Sequence, residues 1–211
     1  NMIKNITALF QMKKYIIFCG YAGLKGSLIL AKKYREDLNR YFNKVYIESI
    51  EKHVKEKGYY GRYSSPINND RSECAPVDID SIFSEVNGET VDVLEGGILK
   101  VLYNLAKSRG LGFEIEIKKI STIQICIEIC EYFGINIYRL LSEGKIVLSE
   151  DPISACKYLE ERGITAQVIG CLTDGLDKVI TDKESVEYVN RPLQDEIFKV
   201  IKDEREDIIG N

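Results

Sequence analysis

Two glycine-rich turns hold the residue types and spacings most capable of chemistry. The first is Gly20-Tyr-Ala-Gly23-Leu-Lys25-Gly26, which follows an apolar run at residues 14–19. A turn of this kind, feeding a helix, can offer backbone N–H groups and the positive helix end to an anion, with Lys25 as the accompanying cation. Its spacing is neither that of a Walker loop nor that of a dinucleotide fingerprint, so a tight structural turn is the competing reading. The second is Asp92-Val-Leu-Glu95-Gly96-Gly97. A glycine pair at a helix start lets a ligand or another backbone approach closely. Asp92 and Glu95 could hold a cation or the donors of a substrate there. Alternatively, Glu95 simply complements the helix N-terminus.

Other reactive side chains form weaker patterns. Cys126 and Cys130 are four residues apart and share a helix face. A zinc site needs two further ligands, so buried, apolar cysteines are expected and no metal is assigned. The sole histidine, His53, lies in the charged run Glu51-Lys-His53-Val-Lys-Glu56 and reads as solvent-exposed. No serine–histidine–acid set and no cysteine–histidine pair can be assembled, so no catalytic residue is assigned. Tyr59, Tyr60 and Tyr63 cluster beside Arg62, a composition favoured at interfaces, although loop aromatics also pack back on their own domain.

The elements that must position these groups are legible from periodicity and breakers. Strands are expected at residues 14–19, 89–93, 113–117, 145–149, 165–172, 178–181 and 186–188. Helices are expected from Leu24 to about Tyr34, then at 45–57, 78–86 and 98–109. Further helices are expected at 122–133 with Thr122 as cap, at 152–163 opening on Pro152, and from Leu193 to about Asp203. Residues 58–77 change to turn chemistry and read as a variable loop or insertion. Strands and helices mix without strict alternation, which gives an α+β fold with a mixed or antiparallel sheet packed by helices. The expected organisation is an N-terminal extension at 1–13 and one domain over 14–211.

Composition bounds the function classes. Of the 211 residues, 45% are apolar and 29% charged, as in ordinary globular protein. The net charge of −4, with both signs interspersed, offers no basic face and argues against nucleic acid. No stretch approaches the roughly 20 apolar residues of a membrane span. The apolar residues of 1–12 are too broken for a signal peptide. The six scattered cysteines read as reduced thiols, so a cytoplasmic setting is expected.

Taken in order, the turns resemble one family. The strand, the Gly20–Gly26 turn and Ser27-Leu-Ile-Leu-Ala31 resemble the opening of the C-terminal domain in the aminoimidazole ribonucleotide (AIR) synthetase superfamily. Val91-Asp92-Val-Leu-Glu95-Gly96-Gly97-Ile98 resembles its His-Asp-x-Thr-Glu-Gly-Gly signature. Ser142-Glu143-Gly144-Lys145 resembles its glycine turn into a strand, and residues 155–170 resemble its last helix and strand. The nearest branch is the hydrogenase maturation enzymes that dehydrate a carbamoyl group to a nitrile. The resemblance covers roughly residues 14–200. It implies a cleft lined by Gly20, Gly23, Lys25, Gly26, Asp92, Glu95, Gly96, Gly97, Ser142 and Gly144, open to a phosphate-bearing small molecule. In that family ATP and magnesium are handled by an N-terminal half, and no counterpart of it is found in these residues. Val91 stands where the family has histidine, Leu94 where it has threonine, and the terminal cysteine of the maturation branch has no match. The expectation is therefore a ligand- or partner-binding module with no cofactor and no catalysis of its own. The alternative is half of a split ATP-dependent enzyme, completed by a separate ATP-binding polypeptide.

Overall fold

A computed structural model describes residues 13–61, 78–182, 185–191 and 194–202. The expected extension therefore lies outside the described residues except for Lys13, as do positions 62–77 of the variable loop, Arg62, Tyr63 and Cys74 among them. The strands are β1 (Tyr15–Cys19), β2 (Glu89–Val93), β3 (Gly112–Glu116), β4 (Gly144–Ser149), β5 (Ala166–Thr173), β6 (Lys178–Asp182) and β7 (Ser185–Tyr188). The helices are α1 (Leu24–Lys33), α2 (Arg35–Leu38), α3 (Lys44–Lys57), α4 (Ile79–Glu85), α5 (Gly97–Arg109), α6 (Gln124–Phe133), α7 (Pro152–Glu161) and α8 (Ile197–Val200). Two 3₁₀ turns, Ile117–Lys119 and Ile137–Arg139, complete the set.

The strands form one seven-stranded sheet in the order β2-β4-β1-β5-β3-β6-β7. Every pairing is antiparallel except β3 with β6, which run parallel. The fold is α+β with a mixed sheet. β1 sits between β4 and β5 and is buried on both faces by the alternation of its side chains. Ile16 and Phe18 join Ile146, Phe113 and Ile115 under Ile98 and Leu102 of α5. Ile17 and Cys19 join Val147 and Ala166 under Phe83 of α4 and Leu159 of α7. A third cluster lies among the helices, where α1, α3 and α6 pack Leu28, Ile50, Cys126 and Ile129 with Ile197 of α8.

Local chemistry explains most boundaries. Asp78 and Asp151 cap α4 and α7 by accepting from the N–H of Ser81 and Ser154. α5 and α6 stop at Gly110 and Gly134, both left-handed. Two sequence expectations are corrected. Thr122 is not the cap of α6, which starts at Gln124 after Ile123 with no side-chain cap. The last helix is shorter within the described residues than expected, spanning Ile197–Val200, because Asp195 and Glu196 turn inward as buried acceptors instead of continuing it outward.

Candidate functional site

The three segments singled out in the sequence meet in one frame around the 3₁₀ turn at Ile137–Arg139. Ser142, fully buried, accepts from the Gly23 N–H through its Oγ at 2.8 Å and donates to the Leu140 carbonyl at 3.0 Å. Its own N–H donates to the Leu94 carbonyl at 3.2 Å, and Gly26 N–H donates to the Leu141 carbonyl at 2.9 Å. One hydroxyl thus ties the first glycine turn to the 140–144 segment, and its amide ties that segment to the second turn.

Close approach dictates glycine at two of these positions. Gly23 has φ +67°, and a Cβ there would lie 2.7 Å from Ile137 Cγ1. Gly97 has φ +64°, and a Cβ there would lie 2.6 Å from the Tyr138 carbonyl oxygen. A side chain at either position would force the 3₁₀ turn away and pay the left-handed backbone penalty as well.

The N–H groups of the frame are already engaged. Gly23 gives its N–H to Ser142, Gly26 to Leu141, Gly97 to Leu94 at 3.1 Å, and Gly96 to the carboxylate of Asp195 at 2.5 Å. Asp195 is 1% exposed and also accepts from Ile197 N–H at 2.9 Å. Burial pushes its pKa above the usual aspartate value, against the backbone N–H groups of Ile197, Gly96 and Leu141, which favour its charged form. Asp195 is the residue sequence reasoning missed. It lies 99 positions from Gly96, and no local motif marks it.

The charged side chains of the segments are set around this frame as ion pairs. Lys25 pairs with Glu143 at 3.2 Å, and Glu95 pairs with Lys100 at 2.7 Å rather than capping the helix. Lys145 lies between Asp92 at 2.5 Å and Asp80 at 3.6 Å, over the ring of Phe83. Gly20 lies beside them, where a Cβ would meet the Tyr59 carbonyl at 3.0 Å, and Gly144 opens β4 against the Cys19 carbonyl. All ten residues expected at the cleft therefore fall on this frame or its charged border. Partly exposed pairs of this kind contribute little to stability.

His53 corrects an expectation. It is half-buried, with its ring edge-on to Tyr21 of the first glycine turn at 5.2 Å. Its face of α3 is the one that carries Ile50, and the flanking charges hide that face in the sequence. Burial, aided by Lys57, holds its pKa below the ordinary imidazole value. Its Nε2 is buried without a hydrogen-bond partner among the described residues. Tyr21 Oη and Thr165 Oγ1 are 3.1 Å apart. Tyr59 and Tyr60 pack back on the domain, Tyr60 against Phe83 at 5.6 Å, and burial raises both hydroxyls, with Glu143 adding to it. Cys126 and Cys130 are buried as expected, and burial pushes both thiols up to about 12. Among the described residues no group of three or more His, Cys, Asp or Glu side chains could hold a metal ion. No described helix is long and apolar enough to cross a membrane.

Comparison with known proteins places the frame. Residues 91–183 match the family described as AIR synthase related protein, C-terminal domain. That match includes Asp92, Glu95–Gly97 and Ser142–Gly144 and leaves the Gly20–Gly26 turn outside it. Solved structures carry the likeness over more of the chain. The hydrogenase maturation protein HypE of E. coli has a TM-score of 0.62 at 14% identity, covering 88% of this chain and 52% of that one. HypE solved in complex with ATP gives 0.57 at 15% identity, covering 87% and 52%. A HypE–HypF complex gives 0.53 at 22% identity, covering 85% and 53%. At these identities the likeness is one of fold. The chain spans about half the length of the structures it matches. No curated protein matches it.

Proposed function

We propose, from the premise that the chain carries an AIR synthase-related C-terminal domain, that it is a ligand- and partner-binding module related to the hydrogenase maturation proteins and not catalytic by itself. It supplies one wall of a cleft. A polypeptide or domain that binds ATP supplies the other. The observation that carries this reading is the frame itself: three sequence-distant segments locked together by Ser142, with the charged pairs Lys25–Glu143, Asp92–Lys145 and Glu95–Lys100 around it. A locked wall with partly exposed charges suits a surface that closes on an anionic ligand. It does not by itself surround a triphosphate, whose transfer needs phosphate and magnesium ligands placed around one transition state.

The solved relatives support both halves of the reading, since one is a HypE–ATP complex and another pairs HypE with HypF. The ligand of this wall is a phosphate-bearing small molecule, drawn to Lys25 and Lys145 and held by side chains, because the glycine N–H groups already have acceptors. Magnesium and ATP belong to the opposite wall.

Calorimetry tests this directly. The chain alone, titrated with magnesium-ATP, is expected to give no binding heat. Adding an ATP-binding polypeptide of the same superfamily is expected to produce ATP turnover that falls about tenfold on Lys25→Ala or Lys145→Ala, the loss of one charge-assisted contact. Micromolar ATP binding by the chain alone would overturn the reading, as would turnover indifferent to both substitutions.

A further inference from the structure

The first glycine turn is seated on the C-terminal end of α3 by three contacts. The ring of His53, the only histidine of the chain, meets the Tyr21 ring edge-on at 5.2 Å. Tyr21 Oη and Thr165 Oγ1 are 3.1 Å apart. Thr165 also joins the two sides through its backbone. Its N–H donates to the carbonyl of Tyr60, just past α3, at 2.7 Å, and its carbonyl accepts from Gly20 N–H at 2.9 Å. The two ring nitrogens of His53 differ. Nε2 is sealed with no hydrogen-bond partner among the described residues, while the half-exposed ring leaves Nδ1 outside that seal. A neutral imidazole suits this setting, with its proton on Nδ1 and only a lone pair at Nε2. A second proton creates a charged, buried N–H with no acceptor. The charges that act on the ring both come from α3: Lys57 opposes the proton and Glu56 favours it. The turn brings Tyr21, and the segment past α3 carries Tyr59 and Tyr60, whose hydroxyls burial keeps neutral. No carboxylate from the turn or from another helix acts on the imidazole among the described residues.

We propose that His53 is a proton-operated latch on the glycine frame. Neutral, the ring holds the end of α3 against Tyr21. When a proton from solvent adds to Nε2, the ring must reach water, and the helix end shifts off the turn. Gly20 and Tyr21 then lose the support that runs through Thr165. The frame is docked at neutral pH and loosened by mild acid. The folded ring holds its proton less tightly than an exposed one. The latch's contribution is therefore complete above the ordinary imidazole value of about 6.5 and is lost as pH falls from there toward the folded value. Asp195 acts in the opposite sense, so the two are separable by sign. The latch works on the frame whether or not the frame holds an anion, and its test stands apart from the proposed function.

Nitrogen NMR of the whole chain reads the single imidazole directly. The Nδ1–H tautomer is expected at neutral pH, with a titration midpoint below about 6.5. Hydrogen exchange of the Gly20–Lys25 amides, corrected for intrinsic rates, is expected to follow that titration. Their opening constant should rise about tenfold for each pKa unit that separates the docked ring from the released one. His53→Phe keeps a ring against Tyr21 and takes no proton, so the acid-driven rise should vanish. His53→Gln, a second variant for the case that phenylalanine overpacks the site, should lose the same pH response. An Nε2–H tautomer would overturn the proposal, as would a midpoint at or above the ordinary value, the result of a cation resting on the Tyr21 ring. Turn amides that ignore the ring's titration, or that keep their acid response in both variants, would overturn it as well.

Discussion

The carboxylate of Asp195 accepts N–H groups from parts of the chain that are far apart in sequence, Gly96 before α5, Leu141 and Ile197 in α8. Removing it leaves those donors buried and unmatched, a cost of about 1–3 kcal/mol per group. Asp195→Ala is therefore expected to lower unfolding free energy by about 2 kcal/mol or more in urea titration near neutral pH. The pH profile follows from its raised pKa. The folded chain holds this proton more tightly than the unfolded one. The proton-linked part of its contribution is full below the ordinary aspartate range and declines as pH rises through the raised value, while its acceptance of those N–H groups persists. Asp195→Ala is expected to flatten that limb, and a profile identical to the parent's would count against the assignment. Nothing near Asp195 in the sequence predicts this role, because hydrogen-bond partners 99 residues away leave no periodic trace. His53 was misread for a related reason: Glu51, Lys52, Lys55 and Glu56 mark a solvated helix, and only the packing of α3 against Tyr21 reveals the opposite face.

At the scale of elements, the glycine turns were legible because left-handed backbone and close approach leave few residue choices. Gly97 shows the strength of that constraint. Gly97→Ala combines a left-handed penalty of about 1–2 kcal/mol with a carbonyl contact that no rotamer relieves. It is expected to destabilise the chain by at least about 2 kcal/mol. Gly110→Ala, left-handed as well but with open space around it, is expected to cost only the first part. Thermal melts of the two variants separate the contributions, and equal losses would show that the contact with the 3₁₀ turn is unimportant. Strand positions were equally legible from alternation. Which strands pair was not: the parallel match of β3 with β6 depends on side chains brought together by the whole sheet, and neither strand's own sequence records it. Thr122 has the right composition for a cap and the wrong position, since Ile123 precedes the first helical residue.

Across the whole molecule, burial is uneven along the sheet. β4 and β1 are almost wholly buried, whereas every described side chain of β7 is exposed. Local opening follows buried contacts and hydrogen-bond shielding. Native-state hydrogen exchange is expected to find the slowest amides in β1 and β4 and the fastest strand amides in β7, with β6 between them. Uniform protection across all seven strands would contradict this gradient. The α+β class and the family likeness were readable from ordered motifs.

Among the described residues β1 pairs with β4 and β5, and both are translated after it. A ribosome translating this message therefore extrudes β1, with Ile16, Ile17 and Phe18 bare, well before either neighbour exists. Slowing elongation between the codons for Gly20 and Gly144 is expected to lengthen that exposure.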